Sequence, residues 1–202
     1  GNDANVAALG EMWKGGGQGF ESIVVVTLGT GVGGGIIMNG KILTGAKGAA
    51  GEIGHIHVDD DEKDVCGCGN TGCLEQFASA TGVVRLANRA LASTDKKTVL
   101  KAGEISAKDV WDAVKAGDEV AIEIAEEFGQ YLGKGLAAVA CVINPEAFVI
   151  GGGVSKAGTI LLDYIRKNYT PYVFHASRDV QFTLATLGND AGIYGAAKLV
   201  LD

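Results

Sequence analysis

The segment between Ile23 and Gly40 constrains the fold of this chain more than any other part of it. Residues 23–28 read IVVVTL, a β-branched run closed by Gly29, which is a strand signal. Residues 35–38 and 41–43 flank Asn39-Gly40, the strongest short hairpin turn. Three early strands are therefore expected, the first two joined by a glycine-rich loop. The signals then turn helical. Val84, Ala87 and Leu91 fit a helix over 81–92, and Ser106 with Asp109 three residues on imitates a capping box. Ile124, Phe128, Leu132, Leu136, Val139 and Ile143 keep a 3–4 spacing through one long helix that Pro145 stops. A short apolar strand at 147–150, a helix near 158–167, a strand at 180–187 and a closing helix at 191–201 complete the order. Hairpin strands followed by α/β crossovers predict a mixed sheet flanked by helices.

Glycine is the compositional anomaly, with 32 residues against 2 prolines in 202. The glycines fall in groups at 15–17, 29–35, 45–54, 67–72 and 151–153. Glycine is needed where backbone takes a positive φ or approaches a ligand closely, so several of these loops are expected to face a ligand. A net charge of −7 gives no general attraction to phosphate backbones or anionic lipid. Nucleic acid and membrane are thus not expected as partners of this region. No apolar run approaches the ~20 residues of a membrane span, and the cytosol is the expected compartment.

Three of the four cysteines, Cys66, Cys68 and Cys73, lie in CGCGNTGC. Clustered cysteines without a secretory context point to metal rather than disulfides. Three thiolates need one more donor for four-coordinate Zn²⁺, and spacing leaves His55 and His57 both open. Cys141 falls on the apolar side of the long helix and reads as core.

The run LGTGVGGGIIMNGKILTGAKGAAGEIGH (28–55), then CGCGNTGCLE (66–75), resembles the ROK family of repressors and sugar kinases. NDAN (2–5) and GGGVS (151–155) match in the same order, so the resemblance covers nearly the whole chain. It implies the ribonuclease-H-like fold of actin-like ATPases, with a zinc-binding loop at 55–75. It also implies ATP- and Mg²⁺-dependent phosphorylation of a hexose, with glucose going to glucose 6-phosphate. A sugar-sensing domain of a family repressor is the alternative. The zinc ligands implied are His55, Cys66, Cys68 and Cys73. EKDV before Cys66 departs from the usual loop by one added residue and keeps His57 as a minor alternative.

By the same resemblance Asp3 is the catalytic base, and Asn2, Asp3, Glu52, His55 and Glu75 contact the sugar. Thr30, Gly31, Gly33, Gly34 and Gly35 form a second phosphate loop, whose backbone N–H groups can nest an anion. Gly151, Gly152 and Gly153 approach adenosine or phosphate. Nothing in the chain matches the first phosphate loop, of DxGGT type, that opens such kinases. Residues 1–202 are accordingly expected to be the C-terminal lobe of a two-lobe kinase, homodimeric at full length and inactive alone.

Overall fold

The computed structural model describes residues 3–201, Asp3 by its backbone alone. Helix α1 (Asp3–Lys14) precedes strands β1 (Ile23–Leu28), β2 (Val32–Met38) and β3 (Lys41–Ile42). Then come helices α2 (Glu75–Ala78), α3 (Ala80–Ser93), α4 (Ala107–Lys115) and α5 (Glu119–Ile143). Strand β4 (Ala147–Gly151), helix α6 (Thr159–Tyr169), strand β5 (Gln181–Leu184) and helix α7 (Ala191–Leu201) follow. The sheet order is β3-β2-β1-β4-β5. The hairpin strands pair antiparallel, whereas β1, β4 and β5 run parallel. Asn39 and Gly40 both take positive φ, 50° and 75°, as a two-residue turn of the hairpin type requires.

Both faces of the sheet are covered. Val24, Val26, Leu28, Phe148 and Ile150 point to the larger core, which α3, α4, α5 and α6 close. The alternate residues Ile23, Val25, Ala147 and Val149 meet Ala8 and Leu9 of α1. This two-sided burial explains why β1, apart from the exposed Thr27, and β4 are apolar rather than alternating. Helix α7 lies against α1, and two glycines make that contact possible. A Cβ on Gly10 would collide with the Ala191 carbonyl, and one on Gly195 with the Val6 carbonyl.

The helix caps follow the sequence. Ser79 Oγ accepts the Gly82 N–H at 2.9 Å, and Ser106 with Asp109 forms the full capping box. Helix α5 ends on Asn144 in the left-handed region (φ 48°), just before Pro145. Three expectations change. Helices α1 and α2 are elements that the order of strands and helices did not contain. Strand β2 begins at Val32, so Gly33, Gly34 and Gly35 are strand residues and the loop proper is 29–31. Cys141 is exposed rather than core. It stands five residues beyond buried Leu136, about 140° round the helix and off the buried stripe.

Candidate functional site

The carboxyl ends of the parallel strands lie on one side of the sheet, where ligands of open α/β sheets bind. Strand β1 runs into a tight turn in which the Gly29 N–H donates to the Gly31 carbonyl at 3.0 Å. Strand β4 runs into Gly152, whose φ of 87° and close approach to the Leu28 carbonyl exclude a side chain. The Ser155 hydroxyl returns to the Gly152 carbonyl at 2.7 Å and fixes the turn. Between this turn and the segment after β5 is a cavity of about 460 Å³, lined by Thr27, Gly152, Lys156, Thr186, Asn189 and Glu11.

Strand β2 uses its glycines differently. On one side Gly35 lies against the Ala4 carbonyl and the Ala8 side chain, which seats the first turn of α1 directly on the strand. On another, Gly34 and Gly51 face each other so closely that a Cβ on either would strike the other's carbonyl; Gly54 is likewise pressed on the Val32 carbonyl. The short turn Ile53–His55 is thereby pinned to β2, with Glu52 and His55 exposed on it. The start of α1, where Asp3 stands, and the Glu52–His55 turn are thus brought to one strand. Asn2 and the Asp3 side chain lie outside the described residues. Asn5 beside them is buried, and its Oδ1 has no partner.

His55, Cys66, Cys68 and Cys73 form a compact knot. Their donor atoms all lie within 4.8 Å of one another. Cys68 Sγ is 3.6 Å from Cys73 Sγ, and Cys66 Sγ is 3.9 Å from His55 Nδ1. A tetrahedral ion with Zn–S of ~2.3 Å sets its sulfurs about 3.8 Å apart, so the donor set and its spacing fit such an ion. His57 is otherwise engaged: Nδ1 is bonded to the Thr71 carbonyl at 2.9 Å and Nε2 to Asp60 Oδ1 at 2.8 Å. The Asp60 bond, with Thr71 after it, raises the His57 pKa. The knot is built by a β-bridge between His57 and Cys73 and by a turn in which the Cys66 N–H donates to the Asn70 carbonyl at 2.7 Å. Gly72, at φ 71°, lets that turn rest on the Asp59 carbonyl. Burial, then the neighbouring Cys68 and Cys66 thiols, push the Cys73 thiol up to about 12.

Glu75 joins the knot to the first turn. Its Oε2 accepts the Val32 N–H at 3.0 Å, and its Oε1 faces Cys66 Sγ at 3.7 Å. The carboxylate occupies the space that a side chain on Gly31 would need. So Glu52, His55 and Glu75 all stand next to β2 or the Cys₃His knot, and Thr30 and Gly31 stand beside Glu75. The turn at 151–153 lies at the end of the neighbouring strand and lines the separate cavity.

One residue of this region went unnoticed in the sequence. Glu11 is only 2% exposed. Its Oε2 accepts from Gly16 N at 2.8 Å and Thr186 N at 3.1 Å, and its Oε1 from Leu187 N at 2.9 Å. It ties α1 to the far wall of the cavity. An acid set among the apolar positions Ala8, Leu9 and Met12 was the available signal.

A half-parallel sheet covered on both faces, glycine turns at its carboxyl edge and a Cys₃His knot beside them define the actin-like ATPase fold with a loop whose donors fit a metal ion. The ROK family profile matches residues 1–202, and the chain belongs to the ROK family. It is 48% identical to a glucokinase of Halalkalibacterium halodurans, over 98% of this chain and 62% of that protein. A solved ROK family glucokinase from Streptomyces griseus, in complex with glucose and AMPPNP, superposes with a TM-score of 0.87 at 40% identity, over 98% of this chain and 66% of that one. The xylose repressor of Caldicellulosiruptor bescii is 32% identical, over 99% of this chain and 51% of the repressor. The chain thus spans somewhat under two thirds of the glucokinases it matches. No helix among the described residues is long and apolar enough to cross a membrane.

Proposed function

We propose that this chain serves ATP-dependent phosphorylation of a hexose, with glucose converted to glucose 6-phosphate, as the C-terminal, sugar-holding lobe of a cytoplasmic, homodimeric glycolytic kinase. The observation that carries the reading is the position of Glu75. One carboxylate oxygen lies on the glycine turn after β1, where phosphate would be held, and the other faces the metal knot, where sugar would be held. A phosphoryl donor and a hydroxyl acceptor are thereby directed to neighbouring places. The higher identity to glucokinases than to the repressor favours the kinase over a sugar sensor.

In this reading Asn2, Asp3, Glu52, His55 and Glu75 bind the sugar hydroxyls, since carboxylates make the stronger hydrogen bonds to them. Asp3 orients the attacking hydroxyl and takes its proton late, as an ordinary carboxylate can when the phosphoryl group has begun to leave. Backbone N–H groups of the turn around Thr30 and Gly31 face the phosphates. The turn Gly151, Gly152 and Gly153 and the cavity beside it receive the nucleotide. Mg²⁺ neutralises phosphate charge when bound with ATP. His55, Cys66, Cys68 and Cys73 would give a zinc ion four protein ligands and leave it no open position, so such an ion would hold one wall of the sugar pocket rather than take part in transfer.

The test is Asp3→Asn in a protein joining this chain to an N-terminal lobe of the kind its relatives carry, assayed with glucose and Mg²⁺-ATP. Turnover falls by about 10² or more while glucose binding persists. Unchanged turnover removes Asp3 from the role, and absence of glucose phosphorylation in the unsubstituted protein removes the kinase reading.

A further inference from the structure

The turn that carries Cys66 is reached through DDDEKD (59–64), and the mechanism above uses none of its charges. Glu62 in that run is only 6% exposed. Its carboxylate meets two guanidinium groups of α3: Oε1 lies 2.7 Å from Arg85 Nη2, and Oε2 lies 3.0 Å from Arg89 Nη2. Oε1 also accepts the Asp64 N–H at 2.7 Å. Arg85 continues to Asp64 Oδ2 at 2.5 Å and lies over the Phe77 ring.

From Asp64 the path goes to the knot itself. The Asp64 carbonyl accepts from Gln76 Nε2 at 2.8 Å, and Gln76 Oε1 accepts the Cys73 N–H at 3.0 Å. Gln76 adjoins Glu75 in α2. A continuous series of bonds therefore leads from α3 through Glu62 and Asp64 to a metal ligand and to the neighbour of a sugar-contacting acid. Exposed ion pairs contribute little, but a buried carboxylate cannot lose its partners without leaving an uncompensated charge. Burial alone would raise the Glu62 carboxyl; the Asp64 N–H, Arg85 and Arg89 outweigh it and hold it at about 2. The carboxylate is thus ionised and clamped at any working pH.

From this geometry we infer that Glu62, held by Arg85 and Arg89, is a positioning residue for the Cys₃His knot. It fixes the turn that brings Cys66 and Cys73 to the shared ion, although it touches neither metal nor sugar. Metal retention then depends on a charge cluster in α3, as outer partners of metal ligands commonly govern affinity. The inference rests on the metal reading above, and its test is arranged so that the two fail differently.

The 202-residue chain is loaded with Zn²⁺ or with Co²⁺ as a spectroscopic substitute. Transfer of zinc to a chromophoric chelator and the Co²⁺ ligand-field and thiolate bands are measured at a temperature where circular dichroism shows every variant folded. The variants are Glu62→Gln, Arg89→Gln and, as control, Glu126→Gln, which removes the α5–α6 surface pair with Lys167 at 2.8 Å. Glu62→Gln is expected to release zinc about 10-fold more readily and to shift the Co²⁺ bands. Arg89→Gln, with Arg85 still in place, shows the same changes at smaller size, about 3-fold; Glu126→Gln behaves as the unsubstituted chain. If Glu62→Gln does not fold, Arg89→Gln decides, because Arg89 is half exposed and its loss leaves Glu62 paired. Unsubstituted affinity and spectra in Arg89→Gln and in any folded Glu62→Gln overturn the inference. Equal effects in the Glu126→Gln control overturn it too, since they reduce the clamp to general stability. An unsubstituted chain that takes up neither metal refutes the metal reading and the inference with it.

Discussion

Replacing Glu11 by alanine tests whether the wall of the cavity beside Gly152 and helix α1 are held together by one side chain. The carboxylate accepts three backbone N–H bonds, from Gly16, Thr186 and Leu187. Alanine accepts none and leaves the three donors short of a partner. A buried donor left unsatisfied costs ~1–3 kcal/mol. These donors are only partly buried, so the lower end applies, and the three together give about 3 kcal/mol. For a chain of this length each kcal/mol moves Tm by ~2–4 °C, which sets the expected drop at about 6–12 °C. Glu11→Gln keeps the shape and one acceptor oxygen and loses about half as much. Differential scanning calorimetry, or urea unfolding with the m-value checked for constancy, measures both. A loss under about 2 °C in Glu11→Ala would show that water replaces the carboxylate at no cost, and that Glu11 does not join the two elements.

Two further expectations follow from the metal knot and its surroundings. His55→Ala releases the metal, whereas His57→Ala keeps it because both His57 ring nitrogens are already bonded to Thr71 and Asp60; metal content by elemental analysis decides between them. The Glu62 carboxyl is lowered from its ordinary 4.5 to about 2 in the folded chain. Its stabilising contribution is therefore complete above about pH 4.5 and is lost as pH falls towards about 2. Acid titration followed by circular dichroism should show the unfolding midpoint move to higher pH in Arg89→Gln.

The elements that were legible in the sequence are those with local signatures. The β-branched run of β1, the Asn39-Gly40 turn, the capping box at Ser106 and the 3–4 spacing in α5 each depend on neighbours within a few positions, and all four stand as read. The cysteine cluster was legible because three candidate ligands lie within eight residues. Spacing could not choose between His55 and His57, since only the bonds to Thr71 and Asp60 withdraw His57. The glycines of β2 looked like loop residues because they have no side chain to alternate. Their purpose is contact with α1 and with the 51–54 segment, which are remote in sequence or brought back by a turn. Glu62 with Arg85 and Arg89 is an interaction between a loop and a helix more than twenty positions on, and no periodicity announces it.

The crossing of α1 and α7 at Gly10 and Gly195 has a consequence for the order in which the chain can fold. Helix α7 covers the outer side of α1, so the α1–β1–β2 unit lacks that cover until α7 has been synthesised. Contacts this far apart in sequence carry the largest loop-closure cost and slow folding. A nascent chain would hold this side of α1 open until residues 191–201 have emerged. Removing α7 should then yield a product that is prone to aggregation rather than a smaller stable domain.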